Sequence, residues 1–278
     1  MNLDGRIFLL TGCASGMGRH LTGALAARGA WVMATDVAFD ALTVQAKVLA
    51  WPLDRVQLRR LDVCARPDWE SAIAAVVAAQ GRLDVLMNFA GIAYAKPVHE
   101  NDPAMIDRIL DINLRGVIYG THFAARHMVA QGHGHIINLG SMASLAPVRG
   151  LNLYSATKFG VRGFSLAAAQ ELKPHGVHLS LICPDAVDTP MLEEEASMPD
   201  AAMVFSIRRP LTVQDIERAV LTRVLPGRGG EYILPRTRAP LARLASAWPA
   251  LLESLGQVFL KAGSRRQAAY RKALDTRR

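Results

Sequence analysis

Tyr154 and Lys158 stand four positions apart in Tyr154-Ser155-Ala156-Thr157-Lys158. On a helix that spacing puts both side chains on one face. A phenol titrates at about pH 10, too high for a good base at neutrality. A neighbouring ammonium favours the phenolate and lowers that value. The pair is therefore suited to exchanging a proton with an alcohol or carbonyl oxygen. By itself a Tyr-x-x-x-Lys pair is usually only a helix surface, so its meaning depends on what surrounds it.

A second cluster lies near the start of the chain, where Thr11-Gly12-Cys13-Ala14-Ser15-Gly16-Met17-Gly18 follows the short apolar run Ile7–Thr11. Gly12, Gly16 and Gly18 permit a tight turn and let the backbone approach a pyrophosphate, with Ser15 and Met17 inside the turn. A helix starting there offers free N–H groups and a favourable dipole to phosphates. Asp36 ends the next apolar run. A carboxylate at that point can accept hydrogen bonds from adenosine ribose hydroxyls and repels a 2′-phosphate. No Lys or Arg stands at Cys13, Ala14, Ser15 or Val37 to neutralise such a phosphate. The expected cofactor is therefore NAD in preference to NADP.

Positioning these groups calls for an alternating chain. Ile7–Thr11, Trp31–Thr35, Val56–Leu61, Val85–Phe89, Ile136–Leu139, His178–Cys183 and Tyr232–Leu234 are short runs rich in Val, Ile and Leu. Segments with apolar spacing near that of a helix lie between them, such as Asp68–Gln80 and Ala104–Val129. Strands alternating with helices imply an α/β fold, a Rossmann-type doubly wound parallel sheet. The expectation is a single domain of about seven strands with helices on both faces, over residues 1–235. The stretch Thr189–Leu211 breaks the rhythm with consecutive glutamates and three prolines. It follows the carboxyl end of a strand, where open sheets bind ligands, and reads as a mobile substrate cover.

Composition sets the outer bounds. The 278 residues are 51% hydrophobic and 20% charged, which excludes disorder of the whole chain. Cys13, Cys64 and Cys183 are too scattered for a disulfide framework or a metal site, so no metal is expected. With no basic leader ahead of Ile7–Thr11 and no apolar stretch of about 20 residues, a cytoplasmic location is expected. The net charge of +8 resides in the tail, since residues 236–278 hold ten Lys/Arg against two Asp/Glu. The rest of the chain balances, which gives no support for a nucleic-acid surface.

Taken together the motifs resemble the short-chain dehydrogenase/reductase family over about residues 5–235. The resemblance rests on TGCASGMG (11–18), Asp36, Leu61-Asp62-Val63, Asn88-Phe89-Ala90-Gly91, Asn113, Ser141, YSATK (154–158) and PDAVDTP (184–190), in the family's order. It implies that Tyr154 exchanges a proton with the substrate oxygen and that Lys158 lowers the Tyr154 pKa and holds the nicotinamide ribose. It implies that Ser141 hydrogen-bonds the substrate oxygen and that Asn113 helps seat a water leading from Lys158 to solvent. By the same resemblance Asp62 and Val63 meet the adenine, Asn88, Ala90 and Gly91 lie beside the cofactor, and Pro184, Val187 and Thr189 lie at the nicotinamide. Self-association as a homodimer or homotetramer follows through helices equivalent to Ala104–Val129 and Tyr154–Lys173. Two departures stand out: Phe89 where a second Asn is frequent, and Asp185 where Gly is usual.

Ile92, Ala93, Tyr94, Met142, Ala143, Leu151, Val187, Met191 and Leu192, with Met198, Met203, Val204 and Phe205 of the cover, are expected to line the pocket. That apolar list suits a lipophilic alcohol or ketone, with no arginine in it to clamp an anionic substrate. In the tail, Leu241, Leu244, Trp248, Leu251, Leu252, Leu255, Val258 and Phe259 recur at helical intervals before a basic run. Such a stripe either packs on protein or lies peripherally on an anionic membrane surface. Two alternative functions use the same features, an NADP-dependent keto-lipid or oxoacyl reductase and a non-catalytic NAD-binding regulator.

Overall fold

The computed structural model describes residues 1–277; of 249–255 and 277 only their place in a helix is described. Seven strands, β1 (Ile7–Thr11), β2 (Trp31–Asp36), β3 (Val56–Arg60), β4 (Val85–Asn88), β5 (Gly134–Leu139), β6 (Val177–Pro184) and β7 (Gly230–Leu234), form one sheet in the order β3-β2-β1-β4-β5-β6-β7. Every pairing is parallel. The helices are α1 (Gly16–Ala26), α2 (Phe39–Val48), α3 (Arg66–Gln80), α4 (Pro103–Leu110), α5 (Gly116–Gln131), α6 (Asn152–Leu172), α7 (Pro190–Ser197), α8 (Val213–Ala219), α9 (Ala239–Ala247) and α10 (Pro249–Arg277). The Rossmann-type single-domain α/β architecture expected from the sequence is the one observed.

Two apolar cores explain why the strands read as unbroken hydrophobic runs. Alternate residues of β1 serve opposite faces. Phe8 and Leu10 pack with Leu21 and Leu25 of α1, Leu42 of α2 and Ile216 of α8. Ile7 and Leu9 pack with Trp69 and Ile73 of α3, Met128 of α5 and Ala168 of α6. The chain moves outward from β1 to β3 on one side and from β4 to β7 on the other. The order therefore reverses between β1 and β4, and a crevice opens at their carboxyl ends.

The segment Ala104–Val129, expected as one helix, is two helices joined by a π turn, Asp111–Arg115. Periodicity cannot reveal a single inserted residue, and π turns occur mostly where a function is served. Here the turn carries the fully buried Asn113, whose amide accepts from Ile92 N at 2.8 Å and donates to Ile92 O at 2.8 Å. This ties the loop after β4 to the helix layer.

Thr189–Leu211 folds as α7 and a 3-10 segment, Pro199–Ser206. Its two ends are joined by Asp188 N donating to Leu211 O and Leu211 N donating to Ala186 O, each at 2.8 Å. What clasps it is not visible in the residue pattern. The second half of α10 lies across it, and Gln267 Nε2 donates to Glu195 O at 3.1 Å and Met198 O at 2.7 Å. Arg266 donates to Ser206 O, and Tyr270 Oη donates to Asp188 Oδ1 at 2.5 Å. Tyr270 and Leu274 pack on Leu192, Ala196 and Phe205. Of the tail stripe, Leu241, Leu244, Trp248 and Val258 are exposed, while Phe259 is partly buried. Leu251, Leu252 and Leu255 lie outside the residues whose side chains are described. No helix among the described residues is long and apolar enough to cross a membrane.

A β-carbon on Gly263 would lie 2.1 Å from Ala202 O, so α10 meets the cover with no space between them. Gly263→Val should lift α10 from the cover while the sheet stays folded. We expect a loss of about 1–3 kcal/mol in thermal unfolding and new protease cleavage within 190–206. An unchanged cleavage pattern would mean that α10 does not hold the cover down.

Candidate active site

The crevice at the sheet's carboxyl edge divides into two continuous parts. One is a groove bordered by Gly12, Ser15, Gly16, Met17, Gly18, Asp36, Asp62, Val63, Ala90, Gly91 and Thr189. The other is a deeper apolar cavity bordered by Ser141, Tyr154, Lys158, Pro184, Val187 and Thr189. Met17, Gly91 and Thr189 border both, so the two parts meet at these residues.

The groove fits a dinucleotide on steric and electrostatic grounds. Gly12 has φ +74°, and a β-carbon there would sit 2.9 Å from the backbone of Ala90. On Gly18 it would sit 2.2 Å from Gly12 O. Only glycine lets this turn close so tightly against the loop after β4. Ser15 is the N-cap of α1 but its side chain makes no capping bond. The first N–H groups of that helix are thus left for an anion. Asp36 accepts from Ala14 N through one carboxylate oxygen and from Ala38 N through the other, each at 2.9 Å. These bonds fix the carboxylate and leave lone pairs for sugar hydroxyls. Asp62 accepts from Cys64 N at 2.9 Å, which holds its loop open at the groove wall.

Thr11 Oγ1 ties the groove floor by accepting from Phe89 N at 3.0 Å and Ala90 N at 3.1 Å. Asn88 and Asn113, which the sequence brings to the same site, border neither part. Asn88 is buried and donates to Asn138 at 2.8 Å, so it joins β4 to β5 beneath the groove. Asn113 sits behind the wall and pins Ile92.

In the cavity, Lys158 is buried and its Nζ donates to Leu139 O at 2.9 Å while lying 5.5 Å from the centre of the Tyr154 ring. Burial pulls the lysine down to about 8. Burial also pushes the Tyr154 phenol above its ordinary value, with the Glu195 carboxyl adding to the rise and a hydrogen bond from Ser141 opposing it. In the bare protein, desolvation thus outweighs the attraction of the nearby ammonium that the Tyr-x-x-x-Lys spacing suggests. Ser141 Oγ accepts from Ala143 N at 3.1 Å, and Ser141 N donates to Ser144 Oγ at 3.0 Å. This capping box fixes the serine oxygen at the cavity, with its hydroxyl hydrogen left to donate to the Tyr154 oxygen.

Several cavity residues escaped sequence reasoning. Arg238, Leu241, Ala242, Ala245 and Phe259 come from the tail, and Glu195 from α7. An arginine does therefore border the cavity, contrary to the sequence expectation. It is not free, because Arg238 Nη1 meets Asp185 Oδ2 at 2.5 Å. Asp185, the residue that departs from the family pattern, is the signal that a cation had to be supplied. Burial raises its carboxyl, and Arg238 opposes that rise. Of the expected lining, Ile92 borders the groove instead. Ala93, Tyr94, Met198 and Phe205 border neither part. Met198 packs under the cover with Leu151 and Ala201, and Phe205 packs on Tyr270.

Fold and cleft together have the form of a nucleotide-dependent oxidoreductase, with Ser141, Tyr154 and Lys158 bordering the cavity. The family profile described as short chain dehydrogenase matches residues 6–200. The chain is 37% identical over 192 residues to the 3-alpha-(or 20-beta)-hydroxysteroid dehydrogenase of Mycobacterium bovis, spanning 69% of this chain and 72% of that one. Among solved structures, levodione reductase superposes with a TM-score of 0.75 at 28% identity, over 83% of this chain and 96% of that one. A short-chain dehydrogenase/reductase from Burkholderia phymatum, solved in complex with NAD, gives 0.80 at 23% identity over 90% and 96%. This chain belongs to the short-chain dehydrogenase/reductase family, and it is an oxidoreductase acting on CH–OH groups with NAD(P).

The depressed lysine generates a stability prediction. A cation whose pKa falls on folding opposes folding while it is protonated. Its cost is full below about pH 8 and fades as pH rises towards its unfolded value, about 10.5. Lys158→Met should therefore add about 1–3 kcal/mol of unfolding free energy at pH 7, read as a higher thermal midpoint, with a gain that shrinks at pH 10. A variant less stable than wild type at pH 7 would contradict this. Arg238→Ala should do the opposite and cost about 1–3 kcal/mol, because it leaves Asp185 buried without its partner. Asp185→Asn in the same chain should recover part of that loss in denaturant unfolding.

Proposed function

We propose that the protein is an NAD-preferring dehydrogenase that interconverts a lipophilic secondary alcohol and its ketone. The observation that supports this reading is that the two clefts adjoin across Met17, Phe89, Gly91, Thr189 and Met191, with Ser141, Tyr154 and Lys158 bordering the second. Asp36 borders the first. The bound nicotinamide supplies the hydride acceptor or donor, and the protein supplies orientation and charge.

In the oxidative direction Tyr154 takes the alcohol proton through its phenolate. Lys158 stabilises that phenolate by charge and hydrogen-bonds the nicotinamide ribose. Ser141 donates to the substrate oxygen as its charge changes. Asn113, fixed behind the wall, positions the water path from Lys158. The glycine turn with Ser15 and Met17 receives the pyrophosphate. Asp36 receives the adenosine ribose, Asp62 and Val63 receive the adenine, and Ala90, Gly91, Pro184, Val187 and Thr189 flank the nicotinamide. Asn88 supports this floor from beneath. The apolar lining from Met142, Leu151, Leu192, Val204 and Leu241 favours a lipophilic substrate.

Two further readings belong to the proposal. The outer faces of α5 and α6 carry Tyr119, Phe123 and Phe164 only partly buried, which supports self-association as a dimer or tetramer. The exposed Leu244, Trp248 and Val258 beside a basic helix support peripheral contact with an anionic membrane surface.

Absorbance of reduced nicotinamide, followed with long-chain, steroid and short secondary alcohols, tests the main reading. Turnover should be at least tenfold faster with NAD than with NADP, and Asp36→Ala should erase most of that difference. Tyr154→Phe should cut kcat by about 100-fold or more while NAD still binds. A Tyr154→Phe enzyme with wild-type turnover would rule the mechanism out.

A further inference from the structure

Glu195 raises the Tyr154 phenol but transfers no proton in the chemistry described so far, and it occupies the cavity. It is 6% exposed and sits on α7, the first helix of the cover. Among the described residues its carboxyl makes no hydrogen bond and no ion pair, and neither oxygen is sealed away from the cavity. The helix that carries it cannot readily swing out. Gln267 of α10 holds the Glu195 carbonyl, and Leu192 and Ala196 lock the same helix into the cluster with Phe205 and Tyr270.

A buried carboxyl without a partner is costly, and the charged form most of all. The groups around it offer no relief. Of the cavity cations, Arg238 is committed to Asp185 and Lys158 is spent on Leu139 O. On its own helix, Glu194 is a like charge. From α10, Arg266 is turned to Ser206 and Tyr270 to Asp188. Burial and Glu194 together push the Glu195 carboxyl up to about 8. At neutral pH it is largely the neutral acid, able both to donate and to accept a hydrogen bond. The rest of the cavity is chiefly apolar, so Glu195 is the strongest hydrogen-bonding group in it outside Ser141, Tyr154, Lys158 and the Asp185–Arg238 pair.

We infer that Glu195 is a specificity residue, the anchor for a second oxygen function, hydroxyl or oxo, on the lipophilic substrate. This rests on the dehydrogenase reading above and narrows it to substrates with two oxygen groups. The reacting oxygen meets Tyr154 and Ser141. The other meets the Glu195 carboxyl, which donates to a ketone and accepts from a hydroxyl. A site built around a buried hydrogen-bonding group discriminates against analogues that leave it unpaired.

The test uses matched pairs of ketones that differ only in one extra oxo group, a steroid pair and a monocyclic pair, with the full-length NADH-loaded enzyme. Reduction rates and calorimetric affinities are both read. Wild type should favour the diketone of at least one pair about tenfold or more in kcat/KM and in Kd. Glu195→Leu, which removes an unpaired buried carboxyl and so should fold, should bring that ratio to within about twofold, chiefly by weakening the diketone. Glu195→Gln keeps a donor and an acceptor and should retain most of the preference. Equal handling of mono- and diketones by wild type, or equal loss of both in Glu195→Leu, would overturn the inference. So would selective gain with an amino-ketone that is lost in Glu195→Gln, since that assigns Glu195 to a cationic group. Failure of wild type to reduce any ketone counts against the dehydrogenase reading instead, and the affinity ratio still decides on Glu195.

Discussion

An ammonium group buried in an apolar wall is the constraint around which this site is built. Lys158 is almost fully removed from water, and the Leu139 carbonyl at the end of β5 is its one hydrogen-bond partner among the described residues. Water would solvate that charge far better, so the fold tolerates it only because β5, β6 and α6 are fixed independently by two large cores. In return the site holds a positive charge 5.5 Å from the Tyr154 ring where little solvent screens it. The same desolvation raises the phenol when nothing else is bound. Without further positive charge nearby, desolvation dominates and the proton stays on Tyr154.

The second organising feature is the division of labour between sheet and tail. The sheet edge supplies the glycine-lined groove, with Ser141, Tyr154 and Lys158 at the cavity beside it. The tail supplies a wall of the apolar cavity, the cation that neutralises Asp185 and the helix that presses on the cover. These tail elements lie beyond residues 6–200, the part matched by the family profile. One wall of the cavity therefore comes from a stretch of chain separate from the sheet edge, while most of the rest of its lining, Glu195 included, lies between β5 and the end of the cover.

The extent to which sequence revealed this follows from which forces are local. Strand positions were legible because each strand is buried on both faces and reads as an apolar run. Ile7–Thr11 agrees with the observed strand at both ends. The glycine turn was legible because backbone approach admits no substitute at Gly12 and Gly18. What escaped notice depends on contacts distant in sequence. The Arg238–Asp185 pair spans 53 positions, and the grip of Gln267 on Glu195 spans 72. The π turn at Asp111–Arg115 escaped because one extra residue leaves apolar spacing almost unchanged. The tail stripe was read correctly as helical, but an amphipathic pattern does not say what covers it. Tyr154 was assigned a lowered pKa from the lysine spacing alone, and spacing carries no information about burial.

Ultraviolet difference titration of tyrosinate, with Tyr154→Phe as the blank, reads which groups control the Tyr154 proton. Without added nucleotide, Tyr154 should titrate above its ordinary value. With NAD bound it should titrate lower, and in Lys158→Met that drop should be lost. A phenol that titrates at the same pH in all three states would contradict the view that a buried lysine and the bound nucleotide control the proton on Tyr154.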